Sequence, residues 1–202
     1  MEKINYQKQL EQVLAGLTDK PRLLLHSCCG PCSSYVLEYL EPWFDLTVFY
    51  YNPCIAPAEE YLHRKAEQQR LITEMNAAGS AISFVEGNYN HEEYLQKIAG
   101  LEREPEGGNR CHVCYEQRLR GAAVYAKAGG FDWYCTTLSV SPYKNAALLN
   151  AIGQRLGDQY GVPFLPSDFK KKDGYKRSIV LSKEHGLYRQ DYCGCEFCSH
   201  GG

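Results

Sequence analysis

Apolar residues fall at helical spacing first and then in short continuous runs. Ile4, Leu10, Val13, Leu14 and Leu17 predict a helix within residues 2–17, broken by Asp19-Lys20-Pro21. The run RLLLH at 22–26 predicts a buried strand, and LTVFYYNP at 46–53 a second one ending at Pro53. Between them, SSYVLEYLEPW at 33–43 reads as the start of a helix. Residues 57–78 form a long amphipathic pattern with Pro57 near the first turn. AISFVEG at 81–87 predicts a third strand, and the acidic stretch 86–108 a loop and helix crossing. Residues 111–130 predict a helix stopped by Gly129-Gly130. FDWYCTTLS at 131–139 predicts a fourth strand, and 142–161 a helix with Pro142 at its start. Strands alternating with helices predict an α/β fold with a parallel sheet. The pattern changes at Val162, so residues 1–202 read as a single α/β domain whose segment 162–202 is a loop-like C-terminal extension.

Composition narrows the class. With 44% hydrophobic and 23% charged residues and a net charge of −2, the chain is neither disordered nor a bulk polycation. Contact with nucleic acid therefore needs a local basic patch. No run approaches the ~18 apolar residues of a membrane span. The N-terminus MEKINYQKQLEQVL has no apolar core of a secretion signal, so a cytoplasmic protein is expected. Ten cysteines in 202 residues fall short of the roughly 8–10% of a disulfide scaffold. In a reducing compartment, clustered cysteines point to metal or redox chemistry.

Eight of the ten are clustered. Cys28, Cys29 and Cys32 lie between a predicted strand and a helix, Cys111 and Cys114 form C-x-x-C, and Cys193, Cys195 and Cys198 form C-x-C-x-x-C. Thiolates a few residues apart reach one soft metal at small loop cost. Three such groups exceed one tetrahedral site. They suit a cluster plus a second metal, or a cluster plus a redox pair, with structural zinc as the simpler alternative. Cys54 and Cys135 read as small core residues, and Cys198 as ligand or bystander. Cys29-Gly30-Pro31-Cys32 has the thioredoxin-type form, but Cys28 precedes it and two further cysteine groups go unused in that reading. Lys170, Lys171, Lys172, Lys176 and Arg177 place five basic residues in eight positions around Tyr175, a composition suited to phosphate contact and base stacking. Arg118, Arg120, Lys144 and Arg189 are weaker candidates. Glu102, Glu104 and Glu106 are expected to face away from the nucleic acid. The chain has no phosphate-cradling glycine loop, so no ATP requirement is expected.

Six segments together resemble one family: LLLHSCCGPCS (23–33), FYYNPCIAPAEEYLHR (49–64), RCHVCYEQRL (110–119), TTLSVSPYKN (136–145), DFKKKDGYKRS (168–178) and LSKEHGLYRQDYCGC (181–195). They look like the cobalamin-independent epoxyqueuosine reductases. The resemblance implies a Rossmann-like parallel sheet of the adenine-nucleotide α-hydrolase type. It implies removal of the epoxide oxygen of epoxyqueuosine at the wobble position of tRNA with a GUN anticodon, giving queuosine. It also implies a [4Fe–4S] cluster, an adjacent metal ion taken as iron, and an external electron donor. The resemblance implies that the Cys-Cys pair, the C-x-x-C and the C-G-C supply the thiolates. By count, with Cys28 split from Cys29 and Cys193 from Cys195, Cys29, Cys111, Cys114 and Cys193 are expected to hold the cluster, and Cys28, Cys32 and Cys195 the metal. In some relatives the position of Cys32 is aspartate, so this second site is richer in sulfur here. Cys54 and Cys198 fall where relatives commonly lack cysteine. Deoxygenation consumes two electrons and two protons, and the candidate proton donors are His26, Tyr143, Lys144 and Tyr192. A tRNA thiolation enzyme of the same broad fold would need an S-G-G-x-D-S loop where this chain has SCCGPCS. A zinc-binding nucleic-acid module remains the non-enzymatic alternative.

Overall fold

Leu23, Leu24 and Leu25 have no solvent exposure at all, and this explains the architecture. In a strand, successive side chains point to opposite faces. Leu23 and Leu25 join one hydrophobic cluster and Leu24 the other, so the strand must be covered on both sides. In the computed structural model, which describes residues 4–198, β1 (Arg22–Ser27) lies inside a four-stranded, all-parallel sheet. Its neighbours are β2 (Asp45–Tyr50) and β4 (Trp133–Thr136), with β3 (Ser83–Glu86) at the edge beside β2. Helices α1 (Tyr6–Ala15), α2 (Gly30–Leu40) and α3 (Ala58–Ala77) pack residues into the Leu23/Leu25 cluster. Helices α5 (Asn109–Ala128) and α6 (Ala146–Tyr160) fill the other face with Leu119, Leu149 and Leu156. The short α4 (His91–Lys97), capped by Asn90, lies within the stretch 86–108.

β2 ends at Tyr50, before the expected Pro53, and three further boundaries differ from the sequence expectation for a local reason. Helix α2 begins at Gly30, not at Ser33, so Cys29 is its N-cap and Cys32 lies in its first turn. β4 ends at Thr136, whose hydroxyl accepts from the Leu138 amide and turns the chain into a 3₁₀ segment, Thr137–Val140. α6 starts at Ala146, because the Asn145 side chain caps it by accepting from the Leu148 amide at 3.1 Å; Pro142 lies outside the helix.

The largest difference is α7 (Gly174–Glu184), within the segment read as loop-like. It packs on α2. Its buried face is Gly174, Ser178, Leu181 and Ser182, so residues that read as loop formers carry much of the contact. Gly174 is obligatory: a Cβ there would lie 1.9 Å from the Phe169 carbonyl oxygen. The chain enters the helix through left-handed Lys172 (φ 51°) and Asp173 (φ 60°). Among the described residues, no helix is long and apolar enough to cross a membrane.

Candidate metal centre

Parallel α/β sheets bind ligands beyond the carboxyl ends of their strands. Here three strands deliver chemistry to that edge: β1 runs into Cys28, β2 into Asn52 and Cys54, and β4 into Thr136 and Thr137. The sulfurs of Cys28, Cys29 and Cys32 all lie within 4.8 Å of one another, a group that can hold a metal ion. The Cys28 and Cys29 sulfurs are 3.7 Å apart. The Cys29 side chain makes no capping bond to α2, which leaves its sulfur available.

The second group comes from the first turn of α5. Cys111 and Cys114 are three residues apart and share one helix face. Cys111 accepts from the Gly107 amide at 3.2 Å. The third group lies in an irregular loop fixed by contacts to distant elements. Arg64 of α3 donates to the Cys193 carbonyl at 3.1 Å, and the Ala56 amide donates to the Gly194 carbonyl at 2.9 Å. The Tyr94 hydroxyl meets the Cys195 sulfur at 3.4 Å. Gly194 has φ 97°, and a Cβ there would sit 2.9 Å from Ile55 and 3.0 Å from Arg64, so the C-G-C motif requires its glycine.

The thiols share charge unevenly. Hydrogen bonds from the Cys29 and Cys32 thiols hold Cys28 well below its ordinary pKa, with Arg118 adding to the effect. Cys29 is pushed up to about 12, first by donating to Cys28. Cys195 falls to about 3 through the Cys193 and Cys198 thiols, and Cys111 to about 6 through Cys198. Cys54 is lowered by the Cys114 thiol. Each group thus favours a thiolate, the form that ligates metal. Cys54, read as a core residue, and Cys198, read as ligand or bystander, both touch expected ligands: Cys54 meets Cys114, and Cys198 meets Cys111, Cys193 and Cys195. Cys135 lies apart from them, with its sulfur toward the Leu165 carbonyl at 3.4 Å and Ser167.

Three buried arginines, of which only Arg118 stands out in the sequence, balance this charge. Arg64 and Arg110 are 1% exposed and Arg118 3%. Arg64 pairs with Glu60 at 2.6 Å. Arg110 and Arg118 pair with no carboxylate among the described residues. Arg110 instead donates to the Cys198 sulfur at 3.2 Å, and Arg118 to Asn52 at 2.7 Å and the Cys114 sulfur at 3.8 Å. An uncompensated buried guanidinium costs several kcal/mol, so these cations need anionic sulfur beside them. Their only advance signal was position: both lie on the α5 face that carries the C-x-x-C.

A cavity of about 440 Å³ opens onto the sulfurs. Its walls include Cys28, Cys32 and Cys193 together with Tyr143, Lys144 and Tyr192. Cys29, Cys111, Cys114 and Cys195 are not part of its lining. His26 lies beneath it, fully buried. Its Nε2–H donates to the Tyr51 carbonyl at 3.0 Å, and its Nδ1 accepts from Thr136 at 2.9 Å. Burial, then the nearby Arg118, lowers its pKa to about 3, so the ring is neutral. Glu106 lines the cavity, against the expectation that it faces away. Glu104 accepts from the Asn109 amide at 3.1 Å, and this turn brings the 102–108 loop to the site.

The family model for "Epoxyqueuosine reductase QueH" matches residues 23–200. The chain belongs to this QueH family of oxidoreductases. Among relatives named epoxyqueuosine reductase QueH, that of Streptococcus pyogenes serotype M1 is 42% identical, over 98% of this chain and 79% of its own length. The Staphylococcus epidermidis relative is 40% identical, over 98% of this chain and 86% of its own. The Thermotoga maritima relative is 33% identical, over 87% and 88%. The QueH match spans all three cysteine groups and the basic run.

In this QueH chain the basic run is divided. Tyr175 lines the sulfur-walled cavity, and Arg189 donates to its hydroxyl at 3.3 Å. Lys172 pairs with Glu11, Lys176 with Asp173 at 2.8 Å, and Arg177 with Glu38 at 2.6 Å. Lys170 and Lys171 open onto a different cavity.

Proposed function

We propose that this protein reduces epoxyqueuosine at the wobble position of a GUN-anticodon tRNA to queuosine, in the cytoplasm and without ATP. The fold reading that accompanies it is the adenine-nucleotide α-hydrolase type. One observation carries the proposal: within a QueH-family chain, three cysteine sulfurs and three proton-bearing side chains wall a single cavity. Its volume of about 440 Å³ is that of a small-ligand pocket, large enough for one modified nucleoside.

The residues present suit a [4Fe–4S] cluster beside an iron ion. The donor set is soft and nearly all thiol, and two buried guanidinium groups without carboxylate partners face it. We assign Cys29, Cys111, Cys114 and Cys193 to the cluster and Cys28, Cys32 and Cys195 to the iron. The contacts Cys28–Cys29 and Cys193–Cys195 join the two sets, as adjacent centres require. Bound there, the two groups supply single electrons and a Lewis acid for the epoxide oxygen.

The protein supplies the rest. Two electrons from an external donor and two protons convert the epoxide to an alkene and water. Lys144, Tyr143 and Tyr192 face the cavity and can deliver protons to the departing oxygen. Lys144 bears its charge 5.9 Å from the Tyr115 ring centroid. His26 we assign a positioning role, since its nitrogens hold the ends of β2 and β4 under the sulfur wall.

Iron, zinc and acid-labile sulfide are to be measured on protein purified without oxygen, with an EPR spectrum after dithionite. Four to five irons with sulfide, and turnover of epoxyqueuosine-tRNA, are expected for one such cluster and one iron. Zinc without sulfide and no turnover would leave a metal-stabilised binding protein.

A further inference from the structure

Beside the sulfur-walled cavity lies a second one of about 520 Å³. The two are separated by one stretch of chain. Ser141, Pro142 and Tyr143 face the first, Asn145, Ala146 and Ala147 the second, and Lys144 lines both. Tyr143, 70% exposed, stands on this ridge. The second cavity holds Lys170 and Lys171 and, among the described residues, one carboxylate, Asp168, which pairs with Lys170 at 2.7 Å. Ile4 and Tyr6 supply apolar wall. A cationic trough with apolar sides, continuous with a nucleoside-sized pocket through one shared lysine, suits a single-stranded polyanion.

The other basic residues of the run do something else. Lys172 reaches back to Glu11 of α1, and Arg177 to Glu38 of α2 and Glu184 of α7. Lys176 pairs with Asp173 at the start of α7. The Lys172–Glu11 and Arg177–Glu38 pairs fasten the entry of α7 to α1 and α2, while Lys176 is held locally by Asp173.

Resting on the functional reading above, we propose that the RNA strand crosses the Ser141–Ala147 ridge. The reacting nucleoside occupies the sulfur-walled cavity. The backbone phosphates of the adjoining nucleotides lie in the second cavity on Lys170 and Lys171. Lys172, Lys176 and Arg177 carry no phosphate.

The test is binding of an unmodified anticodon stem-loop RNA with a GUN anticodon to the metal-loaded protein, across a salt series. Removing one cation that neutralises a phosphate flattens the log–log salt slope by about 0.7 for single-stranded RNA. K170A/K171A should therefore flatten it by roughly 1.4. K171E, at an exposed site, should weaken binding further at low salt without loss of thermal stability. K176A should keep the wild-type slope, as should K127A in the last turn of α5, at the opposite end of the sheet. An unchanged slope in K170A/K171A, an equal loss in K176A or K127A, or no wild-type binding would each overturn the proposal. Turnover of epoxyqueuosine-tRNA by the wild type is scored separately. Its failure alongside lysine-dependent RNA binding would sink the reductase reading and leave the groove standing.

Discussion

The two outer cysteine groups are held in opposite ways. Cys28, Cys29 and Cys32 sit where a strand buried from Leu23 onward turns into an eleven-residue helix, so backbone structure fixes their spacing. Cys193, Cys195 and Cys198 sit in an irregular segment that owes its place to side chains from elsewhere: Arg64, Arg110 and Tyr94. The first group is preformed by the fold. The second is assembled by clasps, and it brings its sulfurs to the site only while those clasps hold. Cys111 and Cys114 resemble the first group, since one helix turn carries both. A site built this way has a rigid wall and a fastened cover, and the two should fail differently.

The largest effect expected is from removing a ligand that the fold holds preformed. C111S should abolish iron and sulfide retention while the far-ultraviolet circular dichroism stays native; normal metal content would break the ligand assignment. Next is the main clasp. R64M removes the partner of Glu60 and of the Cys193 carbonyl. It should cost about 2–3 kcal/mol in urea unfolding, less than the ~3–5 of a fully buried pair because Glu60 is partly exposed. It should also expose residues 190–198 to protease before the sheet unfolds. Simultaneous loss of both would erase the distinction between wall and cover.

Glycines sharpen the comparison. G194A forces a side chain into a left-handed position with two close contacts and should cost about 1–3 kcal/mol, together with metal affinity. G30A meets nothing nearer than 3.6 Å at an ordinary backbone angle and should stay within about 1 kcal/mol of wild type. Equal losses in thermal denaturation would show that both loops are equally strained. The smallest effect is expected from C135A, with iron and sulfide unchanged. A drop in metal content would bring Cys135 into the site, away from which the structure places it.

Legibility in the sequence followed the same division. β1 and β2 are readable because apolar burial there is nearly continuous, as at Leu23–Leu25, and α3 because of its length and the proline before its first turn. The cysteine groups announce themselves by spacing. Helix α7 does not, because Gly174, Ser178 and Ser182 make its contact with α2, and glycine and serine next to a basic run read as loop. Arg110 and Arg118 look like two more surface charges until the sulfurs facing them are known. Cys54 and Cys198 are legible as cysteines but not as neighbours of Cys114 and Cys111, since those contacts join segments distant in the chain. Lone residues whose meaning depends on a partner far along the chain are where pattern reading stops.

Helix α5 carries Arg110, Cys111, Cys114 and Arg118 on one rod. Ligands and counter-charges therefore move as one part, like teeth cut on a single key. A residue inserted between Cys114 and Arg118 would turn the guanidinium by about 100° and swing it off the sulfurs, with every ligand still in place. Length between Arg110 and Arg118 is therefore as much a part of the site as the identity of its cysteines.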